Sequence, residues 1–187
     1  REVKRRSQRE YEKIVFNTLI IENFFDSFAL LEPEFKKIPL YNLENFPTKQ
    51  PNHIDWPGYR SESLEQTNPF LWQLINKELK DKCDNQRLLS SRYYMVSALH
   101  LRLEDDESRD FIHTDSFDLT MIIYLSKTNL NSGTSIYDQN HQETQSVKFV
   151  QNTAILFDGR QRHRSSLNYG KDIDDGRLTL NCFINFI

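Results

Sequence analysis

Residues 111–126 read Phe111-Ile-His113-Thr-Asp115-Ser-Phe-Asp118-Leu-Thr-Met-Ile-Ile-Tyr124-Leu-Ser126. From Asp118 onward, Leu119, Met121, Ile123 and Leu125 fall on one side of an extended chain, and Thr120, Ile122, Tyr124 and Ser126 on the other. The first side is suited to a core. The second carries Tyr and Ile but no Lys or Glu, so it suits a partly polar cavity better than open solvent. The final stretch, Arg177 to Ile187, repeats the pattern. There Leu178, Leu180, Cys182, Ile184 and Phe186 make an apolar face, against Arg177, Thr179, Asn181, Phe183 and Asn185. Two such strands point to a β-sandwich enclosing a polar pocket.

The first half of the opening stretch supplies chemistry to that pocket. His113 and Asp115, two apart in an extended segment, reach one ion together. His163 from another strand completes a set of two imidazoles and a carboxylate on one face of a metal. Such a set leaves open positions opposite and is the one associated with non-haem ferrous oxygenases. A second pair, His53-Ile-Asp55, is flanked by Pro51 and by Pro57-Gly58 and reads as a loop or turn, with His100 as its distant partner.

The order His113-x-Asp115, Tyr124-Leu125, Ser132-Gly133-Thr134, His163 and Arg177-x-Thr179 resembles the iron(II)- and 2-oxoglutarate-dependent dioxygenases, and among them the prolyl-hydroxylase-like branch. The motifs cover about residues 92–187, and the N-terminal half corresponds to the helical support usual in such enzymes. The fourteen residues from His163 to Arg177 are a long spacing for the family, which we assign to a turn-rich insertion, Asn168–Gly176. Ser132-Gly133 stands where relatives often have Gly-Gly. Many prolyl hydroxylases have lysine in place of Arg177, so the substrate does not carry over with the cofactor.

The resemblance implies Fe(II) held by His113, Asp115 and His163, with 2-oxoglutarate and dioxygen as co-substrates and ascorbate as an accessory reductant. The distal carboxylate of 2-oxoglutarate would lie on the guanidinium of Arg177, with hydroxyls from Thr179 and Tyr124. Asn181 and Phe183 continue that face as pocket wall. Arg160 and Arg162, with Arg164, alternate with His163 and point away from the metal. They would grip an anionic substrate at the rim or pair with Asp172, Asp174 and Asp175. The implied reaction is hydroxylation of an unactivated C–H bond as 2-oxoglutarate goes to succinate and carbon dioxide. Its substrate would be a prolyl or other amino-acid side chain, in a peptide or protein or as a small molecule. Two alternatives stay open: a jelly-roll isomerase or hydrolase using another metal without 2-oxoglutarate, and a non-catalytic binding or structural module.

Composition fits one globular domain, with 187 residues, 37% of them apolar and 27% charged. Net charge is −3, which gives no whole-molecule attraction to nucleic acid. Cys83 and Cys182 have no metal-like spacing and read as free thiols in a reducing, cytoplasmic setting. No apolar run is long enough to span a membrane, and nothing sets an oligomeric state. The cluster Lys4, Arg5, Arg6 and Arg9 alternates with acids and reads as a solvated helix face.

The expected architecture is mainly β with flanking helices, a jelly roll (double-stranded β-helix) with N-terminal helical support. Residues 1–90 form the helical and irregular part and 91–187 the jelly-roll core. Ile14–Ile21 reads as a strand, and a short helix follows with Asp26 as N-cap, ended or bent by Pro33. Residues 37–66 read as irregular, with aromatics suited to frame a substrate mouth, and Asn68-Pro69 starts a helix that runs to about Lys82. Strands are expected near 92–103, 111–115, 118–126, 133–138, 145–151, 153–158, 162–167 and 177–187.

Overall fold

The computed structural model describes residues 17–48, 55–106 and 110–187. Its strands are β1 (Leu19–Ile21), β2 (Tyr59–Arg60), β3 (Tyr93–Arg102), β4 (Leu119–Tyr124), β5 (Asn129–Tyr137), β6 (Glu143–Phe149), β7 (Ala154–Asp158), β8 (Arg162–Ser165) and β9 (Arg177–Phe186). Its helices are α1 (Phe28–Lys36), α2 (Leu64–Thr67), α3 (Pro69–Lys82) and α4 (Gln86–Ser90). The large sheet runs β1-β7-β4-β9-β3-β2 and the small one β6-β5-β8, with antiparallel pairing throughout. This is a jelly roll, mainly β with helices on one side.

The alternation in β4 and β9 sets how the large sheet packs. Leu119, Met121 and Ile123 join Leu178, Leu180, Cys182 and Ile184 in one core with Leu71, Ile75 and Leu79 of α3. Burying each such side chain contributes roughly 1.5–3 kcal/mol. Helix α3 starts where the Asn68 side chain accepts from the Leu71 amide at 3.2 Å, with Pro69 at the first helical position. The opposite face of β4 joins Ile136, Val147 and Phe149 of the small sheet in a second cluster, with Ile155 and Phe157 of β7. That cluster fills part of the gap between the sheets, and a cavity occupies another part.

Several local expectations are corrected. The first helix is preceded by Ser27, without a side-chain cap bond, and Asp26 instead pairs with Lys82 at 2.6 Å. Pro33 lies inside α1, which continues to Lys36 because Phe35, fully buried against Phe25, anchors the last turn. Residues 111–115 form no strand: only His113 bridges, to His163, and the Asp115 amide turns to the Gly159 carbonyl at 2.7 Å. Within the stretch read as irregular, Tyr59–Arg60 is a two-residue strand, too short to show a period. The first strand spans Leu19–Ile21, and residues 14–16 lie outside the described residues, as do the basic N-terminal cluster and His53. Both cysteines are free and buried. Among the described residues no helix is long and apolar enough to cross a membrane.

Candidate metal centre and its cavity

A cavity of about 240 Å³ opens between the sheets, and His113, Asp115, His163, Arg177, Thr179, Asn181 and Phe183 all line it. His163 is carried by β8, and His113 is locked to it by exchanged backbone hydrogen bonds of 3.1 and 2.9 Å. The two rings lie 4.4 Å apart, and ligand atoms of His113, Asp115 and His163 fall within 4.8 Å of one another. Asp115 Oδ2 is 3.4 Å from His163 Nε2, and Oδ1 is 3.8 Å from His113 Nε2.

The hydrogen bonds behind these groups settle which atoms face the centre. Nδ1 of His113 meets the Phe111 carbonyl at 2.9 Å, and Nδ1 of His163 meets the Gln161 carbonyl at 2.9 Å. A carbonyl only accepts, so each Nδ1 carries the proton and each Nε2 turns a lone pair inward. Burial holds the His163 imidazole below its ordinary value, against the opposing pull of Asp115, which keeps the ring neutral. Asp115 is oriented by Thr120, whose buried hydroxyl donates to Oδ2 at 2.6 Å. Two imidazoles and a carboxylate, each held from behind, are the donor set of a divalent transition-metal site and fit iron(II).

Deeper along the same face of β9 stands Arg177, only 3% exposed. Its Nη2 donates to the Gly133 carbonyl at 3.1 Å, its guanidinium lies over the Phe149 ring, and its buried Nε has no partner. It makes no ion pair among the described residues. A buried cation without a counter-charge is costly, so this one is arranged for an anion that enters the cavity. Gly133 reaches its place because its φ is +151° and a Cβ there would lie 1.9 Å from the Val147 carbonyl oxygen.

Other sequence-derived candidates sit differently. Tyr124 is fully buried, and its hydroxyl donates to Thr134 at 2.8 Å, so Thr134 rather than Tyr124 reaches the cavity. Thr179 donates to Asn181 at 2.8 Å. Arg160 and Arg162 do not line the cavity: Arg160 pairs with Asp158 at 2.7 Å, and Arg162 meets His141 at 2.9 Å. The predicted pairing with Asp172, Asp174 and Asp175 does not form either. Asp174 pairs with Lys36, and Asp175 accepts backbone amides of its own loop.

A second wall is formed by Trp56 and Arg60, then His100, Arg102 and Asp110; of these the sequence reading had singled out His100 alone, as a distant partner of His53 and Asp55, and it gave Arg60, Arg102 and Asp110 no role. Arg60, His100 and Thr179 face one another across β2, β3 and β9, and Arg102 faces Arg177. The alternation of His100 and Arg102 with Leu99, Leu101 and Leu103 was the available signal for β3. Burial, and then Arg60, Arg177 and Arg102, hold the His100 imidazole well below its ordinary value.

No family model matches the sequence, and no curated protein does. Solved structures do. An oxidoreductase of the 2OG-Fe(II) oxygenase family from Burkholderia pseudomallei is 14% identical with a TM-score of 0.60, over 90% of this chain and 84% of that one. The non-haem α-ketoglutarate-dependent epimerase SnoN of nogalamycin biosynthesis is 12% identical with a TM-score of 0.62, over 98% and 82%. A Pseudomonas putida prolyl-4-hydroxylase is 12% identical with a TM-score of 0.54, over 90% and 91%. The chain therefore has the fold of the 2-oxoglutarate- and iron(II)-dependent oxygenases, as the motif order anticipated. At these identities the likeness concerns the fold, and the neighbours differ in the reactions their names state.

Proposed function

We propose that the protein is an iron(II)- and 2-oxoglutarate-dependent dioxygenase that hydroxylates an unactivated C–H bond of a small molecule or an amino-acid side chain, prolyl among them. Arg177 carries this reading. A three-ligand metal site alone suits several chemistries, but an unpaired buried guanidinium in the same cavity calls for an anionic ligand lying alongside the metal.

His113, His163 and Asp115 would hold the iron, and Arg177 would take the distal carboxylate of 2-oxoglutarate. Bound there, the metal and co-substrate supply dioxygen activation coupled to oxidative decarboxylation of 2-oxoglutarate to succinate and carbon dioxide. The chain's part is positional. The Phe111 and Gln161 carbonyls fix the two imidazole tautomers, and Thr120 keeps one Asp115 oxygen aimed. Tyr124 supports Thr134 and leaves the Thr134 proton free to donate into the cavity. Ile122 and Phe183, the latter stacked on Phe117 at 4.9 Å, keep water from that wall.

The test is an anaerobic visible spectrum of the protein with Fe(II), before and after 2-oxoglutarate, beside His163→Ala and Arg177→Ala. A charge-transfer band that needs His163 and weakens without Arg177 is the expected result. Iron binding with no band would overturn the 2-oxoglutarate reading in favour of a metal-dependent isomerase or hydrolase, and no metal binding would favour a non-catalytic module.

A further inference from the structure

The second wall of the cavity contains a cation that the proposed reaction leaves without a task. Arg60 is mostly buried, makes no ion pair among the described residues, and has a buried Nε without a hydrogen-bond partner. Its neighbour Arg102 differs, since Asp106 and Asp110 both pair with it. Arg60 is also held in place. Its backbone exchanges 2.8 Å hydrogen bonds with Tyr41 and lies in register with His100. Its guanidinium lies 4.7 Å from the Trp56 ring centre, and Trp56 rests edge-on against Phe46, which in turn meets Tyr41. Gly58 makes this possible. With φ at +73° and no room for a Cβ beside the Leu101 carbonyl, it turns the chain so that Trp56 and Arg60 meet.

We propose that Arg60, on its Trp56 platform, is the subsite for a carboxylate of the primary substrate. This rests on the dioxygenase reading, in which Arg177 already serves 2-oxoglutarate and the imidazole–carboxylate set serves the metal. Arg60 lines the same cavity as His113, Asp115 and His163. Burial, then Arg102, lower its pKa to about 10, which leaves it charged at neutral pH. One unpaired planar fork matches one planar monoanion. Trp56 and Pro57 line the same wall, with the exposed Phe111 also on the cavity, so an apolar body can follow the carboxylate inward.

The test uses the full chain loaded anaerobically with Fe(II) and saturating 2-oxoglutarate. Tryptophan fluorescence is followed on titration with benzoate against benzamide, and N-acetylproline against N-acetylprolinamide. The carboxylate of at least one pair is expected to bind at least roughly tenfold more tightly than its neutral partner, the lower end of what a charge-assisted hydrogen bond contributes. That preference should vanish in Arg60→Met, which keeps the apolar stem, while the 2-oxoglutarate band persists. Absence of preference in both pairs, or equal preference in Arg60→Met, overturns the proposal. Loss of the band in Arg60→Met also overturns it, by placing Arg60 in the co-substrate site. If Arg60→Met does not fold, Arg60→Lys takes its place, and an undiminished preference there rules out the guanidinium fork. Absence of a band in the wild-type protein is instead a failure of the dioxygenase reading. The carboxylate preference, measured on the same protein without 2-oxoglutarate, then decides Arg60 separately.

Discussion

Thr120→Val isolates the contribution of a group that supports the proposed metal site without itself being one of the proposed ligands. Thr120 is 1% exposed, and its hydroxyl donates to Asp115 Oδ2 at 2.6 Å. A hydrogen bond to a charged acceptor contributes about 1.5–3 kcal/mol. Loss of such an outer partner independently costs about 10–100-fold in metal affinity, or about 1.4–2.7 kcal/mol. The two ranges agree. Because the Asp115 side chain is only 15% exposed, water replaces the hydroxyl poorly, and the upper half of the range is expected, about 30–100-fold. Valine keeps the shape and the strand preference, so the β4 ladder to Phe157 and Phe183 stays in register. An anaerobic Fe(II) titration against a chelating indicator gives the affinity, and thermal unfolding without metal checks the fold. A variant that binds iron within threefold of wild type, with an intact fold, would refute the claim that Thr120 orients the carboxylate.

Two further outcomes follow from the core and the cavity wall. Leu180→Ala removes a fully buried side chain shared by the large sheet and α3, and should cost about 2–5 kcal/mol in urea unfolding; a cost under about 1 kcal/mol would mean the core collapses around it. His100 is kept neutral in the fold, so the unfolded chain binds a proton that the native protein does not once pH falls below about 6.5. Stability present above that pH is therefore lost on acidification. His100→Gln should flatten the slope of unfolding free energy between about pH 6.5 and 5, and an unchanged slope would assign the acid sensitivity elsewhere.

The site was legible in part, for reasons that differ residue by residue. His113 and Asp115 were readable as neighbours because they lie two apart in sequence, although the strand assumed for 111–115 does not form, and the alternation of Arg177, Thr179, Asn181 and Phe183 along β9 is local too. Tyr124 lay on the right face, but the side chain that meets its hydroxyl, Thr134, comes from the other sheet. Arg160 and Arg162 were read as candidates for the substrate rim, yet they do not line the cavity, and their partners Asp158 and His141 depend on the β7–β8 turn and the β5–β6 hairpin. Pro33 shows the same limit in a helix, because packing of Phe35 outweighs the local penalty.

Residue types, their alternation and their spacing could be read along the chain because each depends only on near neighbours: two apolar faces, a candidate ligand pair, and a sandwich to hold them. Ownership of the cavity could not. Arg60 and His100 stand beside Thr179 because β2 pairs with β3 and β3 with β9, and His163 meets His113 because β8 closes against the loop before β4. Those pairings join segments distant in sequence and are chosen by burying the apolar faces of whole strands together. No short stretch carries that information, so the second wall and its unpaired arginine became visible only in the folded chain.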